Sequence, residues 1–262
     1  MIIDSHQHVI LPTKNQLAMM DNAGIDKTIL FATSVHPEKA QNLASFENEL
    51  KILQNIISGN ASSEKDRYLK STTELVEVVK NHPEKFIGFG PVPLCLSFEE
   101  TSDWIESHII NNNFKGLGEF TLAPGQIYKL DNIFKLSSAF GNLPLWIHTF
   151  NPLTLDDIKQ LGILAKKHSN VPVVFGHLGG FNWLTAIHIA KELSNVYLDL
   201  SATFSTVQQI FCIKELPEKT FFSSDAPYGE PLLAIESIRY LIKDNYLREL
   251  VLGGNIAKLL KL

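Results

Sequence analysis

Short apolar runs rich in β-branched and aromatic residues recur along the chain, each followed by a stretch of helical period or bounded by turn residues. Eight stand out, at residues 1–4, 27–32, 86–92, 114–120, 145–148, 171–176, 196–200 and 220–223. Between them the i, i+3, i+4 spacing predicts amphipathic helices, among them residues 73–81, 98–111, 155–168 and 184–193. Continuous apolar strands alternating with helices indicate a parallel sheet covered on its outside. Eight units in 262 residues match one (β/α)₈ TIM barrel, regular or somewhat distorted, spanning residues 1–262 as a single domain. An open doubly wound sheet is the alternative, but no Gly-x-Gly-x-x-Gly follows the first strand. The polar stretch 58–72 reads as an extended loop or short-helix insertion after the second strand, where substrate-facing loops of such barrels lie.

Composition narrows the function classes. With 45% hydrophobic and 19% charged residues the chain has the make-up of a soluble globular protein, and its net charge of −5 with arginine only at positions 67, 239 and 248 offers no basic face. Nucleic acid and membrane are therefore not expected partners, and a small-molecule substrate is; homo-oligomerisation is left open. Cys95 and Cys212 form no Cys-x-x-Cys pattern, against a disulfide framework or a thiolate zinc site. With no basic-then-apolar leader and no long apolar run, the expected location is the cytoplasm.

Chemistry gathers at the carboxyl ends of the predicted strands. His6 and His8 are spaced i, i+2, so a strand presents both on one face. Glu119 ends the fourth strand, His148 the fifth, His177 follows the sixth and Asp225 the eighth. In a parallel barrel those ends share one mouth, so four imidazoles and two carboxylates surround a single cavity. Each has a plainer reading: Glu119 as a helix N-terminal acid, His148 as a supporting hydrogen-bond residue or catalytic acid, His177 and Asp225 as a satisfied core pair. His82, His108, His168 and His188 lie in or near helices and read as surface residues, whereas His36 follows the second strand toward the mouth.

These residues carry a family resemblance. Asp4-Ser5-His6-Gln7-His8, Val174-Phe175-Gly176-His177-Leu178-Gly179-Gly180, Ser224-Asp225-Ala226-Pro227-Tyr228 and Gly253-Gly254-Asn255-Ile256-Ala257 together resemble the amidohydrolase superfamily, in particular its amidohydrolase-2 branch of metal-dependent hydrolases and decarboxylases. Asn81-His82-Pro83-Glu84-Lys85-Phe86-Ile87-Gly88 is similar to the junction before the third strand of that branch. Glu119 departs from its single-metal members and resembles the bridging acid of TatD-like deoxyribonucleases, although Phe120-Thr121-Leu122 replaces the Gly-Leu-Asp of that pattern.

An imidazole and carboxylate set suits a divalent metal, Zn²⁺ first, with Mn²⁺ or Fe²⁺ as alternatives, as one ion or two. The resemblance implies two arrangements. With two ions, His6, His8 and Asp225 hold one, His148 and His177 the other, Glu119 bridges, and Asp225 moves the proton of an activated water. With one ion, His6, His8, His177 and Asp225 are the ligands and His148 polarises the substrate. The expected activity is hydrolysis of a lactone, ester or amide; decarboxylation of an unsaturated or aromatic-type acid, a two-metal phosphodiesterase or nuclease, and a non-catalytic metal-stabilised barrel are the alternatives. Trp146, Phe150, Phe181, Trp183 and Tyr228 flank the strand ends as a candidate aromatic wall or as core aromatics. His36, Arg67 and Asn151 are candidates to orient polar groups of the substrate, Arg67 a carboxylate.

Overall fold

The computed structural model describes residues 1–58 and 64–262. Its strands and helices follow in chain order: β1 (Ile3–His8), α1 (Thr13–Ala23), β2 (Lys27–Phe31), α2 (Leu43–Ile57), α3 (Glu64–Asn81), β3 (Phe86–Gly90), α4 (Phe98–Trp104), β4 (Gly116–Phe120), α5 (Leu130–Ala139), β5 (Leu145–His148), α6 (Leu155–Lys167), β6 (Val173–Gly176), α7 (Trp183–Glu192), β7 (Val196–Asp199), α8 (Thr206–Glu215), β8 (Thr220–Phe221), α9 (Pro231–Leu241), α10 (Asn245–Glu249) and α11 (Asn255–Leu260). The eight strands are all parallel and lie in sequence order. Main-chain bonds from Ser5 to Phe222, from His8 to Ala226 and from Asp225 to His6 join the last segment to the first, which makes the sheet a (β/α)₈ barrel.

Two apolar layers follow from the strand pleat. Residues facing outward, such as Leu30, Leu117, Leu145, Val173 and Leu198, pack beneath the helices. Those facing inward, Ile3, Ile29, Phe31, Phe89, Trp146, Val174 and Phe221, fill the barrel. Capping boxes start several helices, including Asn42 with Ser45 at α2 and Thr154 with Asp157 at α6. Among the described residues no helix is long and apolar enough to cross a membrane.

Three expectations change. The first strand does not stop at residue 4 but runs through His8, its polar residues Asp4, Ser5, His6 and Gln7 fully buried. Within the loop or short-helix insertion expected at 58–72, residues 59–63 lie outside the described residues, and 64–72 are helical, as the first half of the 18-residue helix α3 rather than as a short separate helix. The predicted helix 98–111 is α-helical only to Trp104, then widens into a π turn over Ile105–Ile109.

Candidate metal centre

The pleat decides which side chains reach the mouth. His6 and His8 project from the same face of β1, ring centroids 5.2 Å apart, and His6 rests on Phe31 and Trp146 at the top of the filled interior. Glu119, at the end of β4, lies among all four imidazoles. Its Oε2 faces His6 Nε2 at 3.7 Å and His8 Nε2 at 3.9 Å, whereas its Oε1 faces His177 Nε2 at 3.1 Å and His148 Nδ1 at 3.3 Å. Asp225 Oδ1 approaches His8 Nε2 at 3.3 Å and His6 Nε2 at 3.7 Å. The six residues expected from the sequence thus meet at one point, split into two groups by the two oxygens of one carboxylate.

Backbone and glycine geometry make the meeting possible. His177 and Asp225 both hold left-handed conformations, with φ of 60° and 62°, which are costly for residues with a Cβ and turn the two side chains back over the barrel. A Cβ on Gly176 would come within 3.3 Å of Glu119 Oε1 and 3.0 Å of the Ile147 carbonyl, so glycine leaves the space that the carboxylate occupies.

Hydrogen bonds around the rim fix how the imidazoles are oriented. His6 Nδ1 lies 2.7 Å from Asp199 Oδ2, an acceptor that also takes the Trp146 indole N–H at 2.9 Å, so His6 keeps a proton on Nδ1 and presents Nε2 to the mouth. The Ser201 hydroxyl donates to Asp199 Oδ1, and therefore accepts from His177 Nδ1 at 2.8 Å. His148 Nε2 donates to the Asn151 carbonyl at 3.0 Å. The consequence is that His148 Nδ1 and His177 Nε2, only 3.0 Å apart, turn lone pairs toward each other and toward Glu119 Oε1. Such a triangle is stable only around a positive charge, either a proton or a cation. On the other side His6 Nε2 and Asp225 Oδ1 are buried without a hydrogen-bond partner, as expected of groups shaped to ligate.

The electrostatics agree. Burial opposes charge on His6, yet the Glu119 and Asp199 carboxylates hold it well above the usual imidazole range; burial likewise opposes charge on His177, which Asp225 and Glu119 raise. Burial pushes Glu119 up, but His6 and His148 hold it well below the usual carboxylate range. Three overlapping ligand groups, His6 with His177 and Asp225, His6 with His8 and Glu119, and Glu119 with His148 and His177, each keep their donor atoms within 4.8 Å. Nitrogen and oxygen donors without thiolate fit a hard or borderline divalent ion.

A cavity of about 360 Å³ opens above these residues, lined also by Arg67, Phe150, Asn151 and Tyr228 among others. The candidate aromatic wall is thinner than expected. Trp146 does not reach it: as an inward residue two positions before His148 it lies one layer lower, fully buried, and its indole supports Asp199. Phe181 stands behind Phe150, 73% exposed, at a ring distance of 5.3 Å, and Trp183 packs against the outer core. His36 is not among the lining residues; Glu38 at 2.9 Å and Glu74 at 3.5 Å hold its two ring nitrogens, and Glu49 accepts its main-chain N–H. His168, read as a surface residue, is largely buried in an ion pair with Asp131.

Sequence reasoning missed Asp199, Ser201 and Asp4. Asp199 ends β7 as Glu119 and His148 end their strands, and that placement was the available signal. Asp4 accepts main-chain bonds from His6 and Ser224 and a side-chain bond from Gln7, clamping β1 to the segment that carries Asp225; burial pushes its carboxyl up to about 6.

The sequence matches the family model for amidohydrolases over residues 3–262. The chain belongs to the amidohydrolase family. Comparison with curated proteins returns no match. Among solved structures, this amidohydrolase is similar to 2,6-dihydroxybenzoate decarboxylase from Rhizobium, at 16% identity and TM-score 0.69 over 99% of this chain and 98% of that one. It is similar also to dihydroxybenzoic acid decarboxylase from Polaromonas sp. JS666, solved with manganese and the inhibitor 2-nitroresorcinol, at 17% identity and TM-score 0.72 over 100% and 97%. An uncharacterised TIM-barrel protein from Bordetella bronchiseptica gives 15% identity and TM-score 0.72 over 99% and 98%. Family membership makes the protein an enzyme of the amidohydrolase type that uses a divalent metal.

Proposed function

We propose that this amidohydrolase hydrolyses a lactone, ester or amide of a small organic substrate; His6, His8 and Asp225 would hold one divalent ion and His148 and His177 a second, with Glu119 available to both. The observation that supports this reading is the division of the Glu119 carboxylate, one oxygen toward each pair of imidazoles. Zinc is the proposed ion and manganese, held by a structure of similar fold, its competitor. When bound, a divalent ion supplies an acidified water and polarisation of a carbonyl oxygen.

The chain's own residues complete the reaction. Asp225 stands against both β1 imidazoles, where its Oδ1 takes the proton of the attacking water as the oxygen adds to the carbonyl carbon. Asp225 then returns that proton to the leaving oxygen or nitrogen as its bond to the carbonyl carbon breaks. Phe150 and Tyr228 line the cavity and offer ring surface to an apolar part of the substrate. Asp199 and Ser201 keep the protons of His6 and His177 on the outward nitrogens throughout.

Decarboxylation is the second reading, favoured by the similar folds of dihydroxybenzoate and 5-carboxyvanillate decarboxylases. Metal analysis followed by a panel of lactones, esters, amides and carboxylic acids in ¹⁸O-water separates the two. The hydrolytic reading expects two ions per chain and label in the product carboxylate; release of carbon dioxide with no label in the remaining product refutes it.

A further inference from the structure

The cavity carries one strong cation that the metal chemistry does not use. Arg67, in the first turn of α3, is the only lysine or arginine among the described residues that line it. Its guanidinium carbon sits 4.6 Å from the centre of the Tyr68 ring, and its Nε is buried with no hydrogen-bond partner. Guanidinium groups stay charged at every physiological pH, and a buried N–H without an acceptor is unfavourable, so this position calls for an acceptor from water or from a ligand.

Three further acids are engaged with His36, and none of them pairs with Arg67 among the described residues. Glu38 and Glu74 grip the two nitrogens of His36, and Glu49 accepts its main-chain N–H. The carboxylates lining the cavity, Glu119 and Asp225, face the imidazoles, and no ion pair to Arg67 forms among the described residues. The same cavity is lined by apolar Val35, Leu53, Ile56, Ile57 and the Tyr68 ring, with the hydroxyls of Thr33, Ser34 and Ser71 between them. A planar fork set in such a wall matches a carboxylate borne on a compact apolar or aromatic body.

We propose that Arg67 is a specificity-determining residue that binds a carboxylate of the substrate remote from the reacting carbonyl, so that the molecule is anchored at one end by Arg67 and at the other by the metal centre. This rests on the proposed carbonyl chemistry and names its substrate class: a small anionic ester, lactone or amide, whose hydrolysis leaves a product with two carboxylates.

Product-like probes test this without knowledge of the natural substrate. Calorimetric titration of the metal-loaded enzyme with benzoate, isophthalate and terephthalate is expected to show at least one dicarboxylate binding about tenfold or more tighter than benzoate. In Arg67→Gln that advantage disappears while benzoate affinity stays within about twofold, and Arg67→Lys restores part of it. Monomethyl terephthalate and monomethyl isophthalate, neutral at one end, lose the same advantage on the unaltered protein, which keeps the test valid if a variant folds poorly. Absence of any advantage in the unaltered protein, its survival in Arg67→Gln, or an equal loss for benzoate and the dicarboxylates overturns the proposal. Benzoate binding that is indifferent to metal removal by a chelator instead counts against the proposed metal chemistry and leaves the Arg67 increment to be read separately.

Discussion

Asp199→Asn replaces one atom and confronts the centre with the wrong hydrogen-bonding pattern. Asp199 is fully buried and accepts four bonds, from His6 Nδ1 at 2.7 Å, the Trp146 indole at 2.9 Å, the Ser201 main chain at 2.6 Å and the Ser201 hydroxyl. Each oxygen takes two of them. An asparagine has one oxygen, so in either flip two donors face its NH₂ group. Bonds to a charged acceptor contribute about 1.5–3 kcal/mol each, and losing two predicts a destabilisation of about 3 kcal/mol. His6 escapes the clash by moving its proton to Nε2, the nitrogen that faces Glu119 and Asp225. Loss of the partner that fixes a ligating imidazole lowers metal affinity about 10–100-fold, equivalent to about 1.4–2.7 kcal/mol. Urea unfolding of metal-free protein reads the first quantity and chelator competition the second. Metal affinity within threefold of the unaltered protein, together with unchanged unfolding, would refute the assignment of the His6 proton.

Removing the metal reverses the pH response. His6 and His177 are raised above their ordinary value in the folded metal-free chain, so their stabilisation is fully present below about pH 6.5 and is lost as pH rises through the raised values. The metal-free protein is therefore expected to melt lower as pH rises above neutrality while the loaded protein does not, and titration with zinc near pH 7 releases protons, measured calorimetrically in buffers of different ionisation enthalpy. Trp146→Phe should cost about 1–3 kcal/mol in urea unfolding and leave the KM of any substrate found nearly unchanged; an altered KM at equal stability would return Trp146 to the cavity wall. Gly118→Ala meets the Trp146 carbonyl at 2.4 Å from a φ of +133°, and is expected to destabilise by more than about 2 kcal/mol and to lower metal content, read by elemental analysis. Asp131, held below the usual carboxylate range by Lys135, Lys167 and His168, adds stability above the unfolded Asp value of about 3.9 that is lost as pH falls through the folded value. The melting deficit of Asp131→Asn at pH 7, about 0.5–1 kcal/mol, should thus vanish in acid.

The barrel was legible because parallel strands buried on both faces spell themselves as uninterrupted apolar runs, and because polar residues at their ends have nowhere to go but the mouth. What hydropathy hid was buried polarity. The first apolar run ends at Asp4, and His6 and His8 read as neighbours on one strand face, yet nothing in the hydropathy shows that Asp4, Ser5 and Gln7 are buried with them in β1, where Asp4 satisfies two main-chain N–H groups and the Gln7 amide. Asp199 escaped notice since its partner His6 is 193 positions away, and only the closed barrel brings them together. Trp146, open between cavity wall and core in the sequence, is a core residue, because pleat parity points it inward beneath His148 and nearness to a strand end in sequence is not nearness to the mouth. The start of α3 was hidden by a charged sequence, Glu64 to Arg67, that reads equally well as a solvated loop or as the outer face of a helix.

The clamp between Asp4 and the Ser224 main chain spans 220 positions, and Asp225 closes against the His6 carbonyl next to it. During synthesis the first ligands to emerge must therefore wait for almost the entire polypeptide before the last one arrives. A nascent chain released early, or clipped within its final segment, retains most of its imidazoles but has no closed ring to hold a cation. With Asp225 among the proposed ligands, metal retention would accordingly report that translation has run past β8, and a chain that fails to finish would lose the proposed site and that source of stability together.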